Sequence, residues 1–481
     1  MADSTADPDD TAIQTGAGTG GTESHDPKVP AAWAAFMRRG WADLRREVDR
    51  HPVATWTSQR RTRVSEQFPG ERLVIPAGGF KVRSNDTDYR FRPDTAHTWL
   101  TGNQTSDAVL VIEDGDAVLF ARPRSGRDSD EFFRDRQYGA LWAGERPSLE
   151  EIATSLDVPT RHVDDLDTVL AASGKTRVLR GVDPRVDAAV GGDDAADAEL
   201  AKVLSELRLV KDDWELGELR TACDTTTLGF TDCVREWDDV LVHGERWVEG
   251  TFFRRARAMG NDIGYDSIVG GGAHATTLHW IDNTGPMTPG DLVLLDMGAE
   301  ATSLYTADVT RTLPISGTWT PLQRDLYNLV LDAQRQGIAE VRPGNAFRAA
   351  HHKAMEVITH GLGDLGLLPC SVEEALDEDS KVYSRWTLHG VSHMLGMDVH
   401  DCAQSDPDTY PQGDLETGMV LTVEPGLYFQ ADDLLVPEEL RGIGIRIEDD
   451  IVVTDGEPLN LSEALPRDPD EIEEWMATTR R

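Results

Sequence analysis

The chain has 481 residues, 39% of them hydrophobic, enough for two domains with real cores. Its 86 acidic residues outnumber 47 basic ones, and the net charge of -39 excludes the basic face that nucleic acid or anionic lipid requires. Four scattered cysteines without a CxxC pair fit a reducing cytoplasm, no apolar run of about 18 residues offers a membrane span, and the acidic start carries no signal peptide.

Residues 1–29 are small and acidic and are expected to form a disordered tail. Trp33, Phe36, Met37, Trp41 and Leu44 recur at helical spacing and predict a helix over 30–50; a shorter helix is expected over 60–68. The apolar runs 73–78, 108–114 and 117–123 then read as strands, the last two joined at Gly115-Asp116 as a β-hairpin. Helix and strand alternate to about residue 180, and the small, acidic stretch 181–198 reads as a linker or surface loop. A first domain is therefore expected over 30–203, a second over 204–470, and a tail over 471–481.

The second domain opens with Asp212 or Asp213 as the cap of a helix running toward Trp237. Gly270-Gly271-Gly272 is no phosphate loop, since no Lys-Ser/Thr pair follows it. From Gly290 to Thr312 an apolar strand ends in Asp296, and Asp308 stands at the far end of what reads as a hairpin. The stretch Gly418–Gly426 copies that opening: each carboxylate, Asp296 and Glu424, lies six residues after a glycine and two before another. A motif used twice suggests two related halves facing one site. Helices are expected over 321–341 and 346–361, the second capped by Asn345. Three of the chain's 13 histidines, His389, His393 and His400, fall within twelve residues, and His389 and His393 share one side of a helix or strand. In a final strand over 442–454, Arg446 and Glu448 share one face. Asp296, Asp308, His393, Glu424 and Glu448 together would repel one another strongly, and two divalent metal ions would relieve that repulsion.

These motifs resemble those of aminopeptidase P, the Xaa-Pro aminopeptidases of the pita-bread metallopeptidase family that also holds prolidase, methionine aminopeptidase and creatinase. The resemblance is carried by LLDMG, TADVTRT, HGVSHMLGMDVHD, VLTVEPGLY and GIGIRIEDD, and in the first domain by RSNDTDYRFRPD followed by LTG. It implies an α/β (α+β) fold: an N-terminal creatinase/aminopeptidase P-like domain, then a C-terminal pita-bread domain with pseudo-two-fold halves. It also implies that Asp296 chelates one metal, that Asp308 and Glu448 bridge both, and that His393 and Glu424 complete the other. His279, His389 and His400 would line the substrate pocket, and Arg446 would support the bridging carboxylate.

The implied reaction is hydrolysis of an N-terminal Xaa-Pro bond by a metal-bridging hydroxide. Glu424 would guide the proton, His279 or His400 would stabilise the oxyanion, and His389 with nearby aromatics would wall the proline ring. The oxygen-rich donor set favours Mn2+ over Co2+, Fe2+ or Zn2+. The expected partners are peptides with proline at the second position and further copies of the chain, as a dimer or tetramer. The ligand set alone does not separate this activity from Xaa-Pro dipeptide hydrolysis (prolidase), while a non-catalytic scaffold would have lost ligands that are all present. Cys402, two residues after His400, is a candidate point of thiol sensitivity. Two departures stand out. The Asp296–Asp308 connection is one residue longer than the bacterial pattern, and Thr98 stands where a tryptophan is expected to reach a neighbouring subunit, with Trp99 beside it.

Overall fold

The computed structural model describes residues 29–42 and 46–480, so Leu44 and nearly all of the expected N-terminal tail lie outside the described residues. The chain divides into two compact units, one of residues 1–47 with 123–148, the other of 48–122 with 149–481. In the smaller unit the helix covers only Ala31–Met37. It does not continue to residue 50 because Gly40 adopts a left-handed φ of 79°, which turns the chain. Trp33 and Trp41 instead meet Phe133 and Phe132 edge to face, at 5.5 and 5.0 Å.

The larger unit opens with a helix over Val53–Gln67, longer than the expected 60–68. The N-terminal strands are β1 (Arg72–Pro76), β2 (Val82–Ser84), β3 (Thr87–Asp88), β4 (Val109–Glu113), β5 (Asp116–Ala121), β6 (Thr160–His162) and β7 (Thr176–Val178). Five of them form a sheet of order β6-β5-β4-β1-β7, and β2 pairs with β3. The expected hairpin is β4–β5, turned at Asp114 and Gly115, whose φ values of 50° and 86° are those of a tight two-residue turn. Residues 73–75 of β1 and 109–112 of β4 are continuously apolar because both faces are covered. Leu73 and Ile75 join a core with Val64, Trp99 and Leu100, while Val74, Val109 and Phe120 pack with Leu166, Leu170 and Val186.

The stretch 181–198 folds into more than a loop: a helix spans Pro184–Ala189, capped by Asp183, and another begins at Asp194 and runs to Leu207. Asp212 caps the helix Asp213–Arg235 as expected, in a reciprocal box with Glu215. Glu215 is buried and also accepts hydrogen bonds from Trp99 Nε1 and Tyr305 Oη, at 3.1 and 2.7 Å. Arg60 reaches Asp212 from the N-terminal segment at 2.6 Å, so this network ties that segment to the rest of the unit.

Ten further strands follow: β8 (Asp262–Ile263), β9 (Ile268–Gly271), β10 (Leu292–Asp296), β11 (Ala299–Glu300), β12 (Thr310–Pro314), β13 (Val420–Val423), β14 (Gly426–Tyr428), β15 (Gly444–Arg446), β16 (Asp449–Val452) and β17 (Leu459–Asn460). One half holds the sheet β12-β10-β9 with β11-β8, the other β13-β16-β17 with β14-β15. The halves repeat a pattern. Asp296 ends β10 and Asp308 stands two residues before β12; Glu424 follows β13 and Glu448 precedes β16.

Three other expectations are corrected. The run 442–454 is not one strand. It breaks at Ile447-Glu448, opposite Glu424-Pro425, because Pro425 has no N–H to continue a ladder; Arg446 pairs with Gly426 in one sheet and Asp449 with Val423 in the other. Arg446 therefore ends β15 while Glu448 lies in the break itself, so the two do not share one face of one strand. Asn345 does not cap the second helix, which starts at Ala349; its amide donates to Glu340 O while Gly344 and Phe347 are pinned to the segment 413–415. The helix before it, Pro321–Ala339, carries its own box from Thr320 and Gln323. Of the expected tail 471–481, the described residues 471–480 are no tail, for a helix over Pro469–Thr479 buries Ile472 and Met476, and its Glu473 accepts the Trp319 N–H.

Candidate functional site

The two carboxylate motifs and the histidine segment meet in one cleft of about 690 Å³. Every candidate metal ligand and catalytic residue from the sequence lines it: His279, Asp296, Asp308, His389, His393, His400, Glu424, Arg446 and Glu448. Backbone pairing explains the convergence. Asp296 is fixed at the end of β10, between Ile268 of β9 and Thr310 of β12. His393 is held alongside β13 by reciprocal bonds with Thr422, and the Glu424 N–H donates to Val391 O at 2.8 Å.

Asp308, His393 and Glu448 each offer a donor atom, and these atoms lie within 4.8 Å of one another. His393 Nε2 is 3.2 Å from Asp308 Oδ2 and 3.5 Å from Glu424 Oε1. The charges are poorly balanced. Burial, then the neighbouring charges of Asp308, Glu424 and Asp296, push the Glu448 carboxyl far above its ordinary range. Burial likewise raises Glu424 to about 7, against the pull of His393 and Arg446. Burial alone would lower His393, but the hydrogen bond and charge of Asp308 and the charge of Glu424 lift it to about 9. Clustered oxygen donors, one imidazole and too little positive charge suit hard divalent cations, so the residues present fit metal ligation.

The surrounding contacts fix these groups. Arg446 Nη2 bonds Asp296 Oδ2, while its Nη1 donates to Tyr428 Oη at 2.9 Å and its Nε to Thr310 Oγ1 at 3.2 Å. Thr310 in turn donates to Glu448 Oε2 at 2.6 Å. His389 Nδ1 donates to Gly390 O at 2.8 Å, which leaves Nε2 to accept from Tyr428 at 2.8 Å. Burial first, then Arg446, holds His389 down to about 4, so it is a neutral imidazole.

Sequence reasoning missed four residues that build this site. Tyr265 donates between Asp296 and Asp308; Thr310 and Tyr428 bridge Arg446 to Glu448 and His389. Glu245 is fully buried and its two oxygens accept from Gly271 N, His274 Nδ1, Trp280 Nε1 and Gly285 N, at 2.6–2.8 Å, which fixes the segment carrying His279. Thr310 and Tyr428 do lie inside quoted motifs, but Tyr265 and Glu245 have no spacing signal. Trp99 does not point outward: it is 1% exposed, bonded to Glu215, and Thr98 beside it is buried too.

Comparison with known proteins agrees with the geometry. The family model described as metallopeptidase family M24 matches residues 218–455, and that of the aminopeptidase P N-terminal domain matches 57–179. Xaa-Pro aminopeptidase 2 of Streptomyces coelicolor is 52% identical over 94% of this chain and 97% of its own length. The Xaa-Pro aminopeptidase of Escherichia coli is 32% identical over 88% of this chain and 97% of its own. A zinc-substituted structure of E. coli aminopeptidase P in complex with product superimposes with a TM-score of 0.79 at 30% identity, covering 90% of this chain and all of that one. With both family models in place and the fold matched over nearly its whole length, the chain belongs to the Xaa-Pro aminopeptidases of metallopeptidase family M24.

Proposed function

We propose that this chain removes the first residue of peptides whose second residue is proline, using two divalent ions held by Asp296, Asp308, His393, Glu424 and Glu448. The observation that carries the reading is the convergence of Asp308, His393 and Glu448 donors in a buried cleft short of positive charge. Manganese is the first choice of ion, because four of the five donors are carboxylates. Bound there, the ions would supply a water activated toward neutral pH.

The remaining chemistry belongs to the chain's own side chains. Glu424 accepts or guides the proton released as water attacks the carbonyl before proline. His279 or His400, both in the cleft wall, stabilises the developing negative oxygen. Proline nitrogen has no N–H to recognise, so the ring is selected by fit against His389 and its partner Tyr428. Arg446 orients Asp296 and its charge opposes the rise that burial imposes on that carboxyl. We place the enzyme in the cytoplasm as a homo-oligomer. Four free cysteines, three of them buried, suit a reducing compartment, and among the described residues no helix is long and apolar enough to cross a membrane.

The test is a cleavage assay after chelation and addition of Mn2+, offering an Xaa-Pro dipeptide beside an Xaa-Pro-Xaa tripeptide. Metal-dependent release of the first residue of the tripeptide supports the reading. Cleavage confined to the dipeptide would make the chain a prolidase, and cleavage of neither would overturn the substrate class.

A further inference from the structure

The segment Met397–Asp401 forms a wall with two sides. Val399 and His400 face the metal cleft, whereas Asp398 lines a separate cavity of about 840 Å³ behind it. Met397 is buried in the core, but Asp398 beside it borders that cavity, so the side chain of Asp398 is placed by polar links. They come from the N-terminal segment. Thr95 Oγ1, at the start of the helix Thr95–Thr101, donates to Asp398 Oδ1 at 2.6 Å. Arg92 donates to Met397 O at 2.6 Å and reaches Asp398 at 3.4 Å, while its Nε donates to Glu300 in β11 at 2.8 Å. Arg208 holds Asp401 at 3.1 Å from the same side.

We propose that Thr95 and Arg92 are positioning residues for His400, acting through Asp398 and the backbone of Met397 so that the imidazole meets the reacting carbonyl. This gives the N-terminal domain a part in turnover within its own chain. The inference rests on the reading that His400 stabilises the developing oxyanion. Docking of the N-terminal segment does not depend on these links alone, because Arg60 binds Asp212 independently at 2.6 Å. Loss of one hydroxyl at position 95 therefore leaves the fold and the metal donors in place.

The experiment is a double-mutant cycle on the full-length, Mn2+-loaded protein with an Xaa-Pro-Xaa tripeptide. Thr95→Val is expected to lower kcat about ten-fold while KM moves less than about two-fold, since a small misplacement affects the transition state more than binding. Asp398→Ala should behave alike, and Thr95→Ser should restore the wild-type rate. In a His400→Ala background Thr95→Val should cost nothing further. An unchanged kcat in both Thr95→Val and Asp398→Ala overturns the proposal. So does an equal loss with and without His400, which would mean a general structural effect. A His400→Ala enzyme with wild-type kcat would instead remove the role of His400 on which the inference stands.

Discussion

The Tyr265 hydroxyl lies 2.5 Å from Asp308 Oδ1, in a position to donate to a carboxylate that no arginine touches directly. The same oxygen is 2.6 Å from Asp296 Oδ1, so one proton serves two acids in turn. Burial, then the charges of Asp296, Asp308 and Glu448, push the phenol well above its ordinary range, and it remains a donor. Groups that orient metal-ligating side chains commonly change affinity by about 10- to 100-fold when removed. Tyr265→Phe should weaken Mn2+ binding by such a factor without altering secondary structure. A competitive chelator titration checks this, and unchanged affinity would show that the hydroxyl tunes nothing.

Glu448 separates stability from activity. Burial and the charges of Asp308, Glu424 and Asp296 push its carboxyl well above the ordinary carboxylate range, so in the metal-free protein the charged form is disfavoured. Glu448→Gln keeps the shape and removes the charge that burial and its acidic neighbours disfavour, but cannot bind a cation as a carboxylate does. The metal-free variant should melt within about 2 °C of the metal-free wild type, while metal-dependent turnover is lost. Calorimetry with chelator and a turnover assay with Mn2+ supply both readouts. A large fall in melting temperature without metal would show that the carboxylate itself stabilises the metal-free fold.

Glu245 receives four N–H groups with two oxygens. Glutamine at this position would turn its own NH2 toward two of those donors and leave them unpaired. The expected cost is roughly 2 kcal/mol or more, at the price expected for buried unsatisfied groups. Chemical denaturation measures the loss. Faster amide exchange over residues 271–285 and a lower kcat should accompany it, because that segment carries His279.

His97 sets an acid limit on stability. It is fully buried, and burial, outweighing its hydrogen bond to Ile75 O, lowers its pKa from 6.5 to about 4. The unfolded chain therefore binds more protons between those values. The contribution is fully present above pH 6.5 and is lost as pH falls toward 4, up to roughly 3 kcal/mol. Denaturation curves at pH 7.5 and 5 should show the decline, and His97→Gln should flatten it. A wild-type profile as flat as that of the variant would rule His97 out as the cause.

Much of this site was legible because its donors are carried by short apolar strands that end in an acid. The repeated glycine-to-carboxylate spacing located Asp296 and Glu424, and clustered histidines located His393 and His400. Local rules also found the Asp212 cap and the β4–β5 turn. What failed was information held in tertiary pairing. Alternation placed Arg446 and Glu448 on one face of one strand, but the chain breaks opposite Pro425, so Arg446 ends β15 and Glu448 lies in the break before β16. Tyr265 and Glu245 gain their meaning from strands and loops distant in sequence. The C-terminal helix was a different failure, for Asp468, Pro469, Ile472 and Met476 form a cap and an apolar stripe that local reasoning can read.

Thr310 is fully buried, takes a hydrogen bond from Arg446 and gives one to Glu448. A single hydroxyl thus couples the last residue of β15 to the carboxylate that stands in that break. Evolution has little room at such a position, because a replacement must both give and take a proton within the volume of a threonine. Serine satisfies that demand; valine has the shape and lacks the exchange. Among divergent relatives, positions 310, 446 and 448 should change together or remain fixed together, and a lineage that abandons one should abandon the reaction.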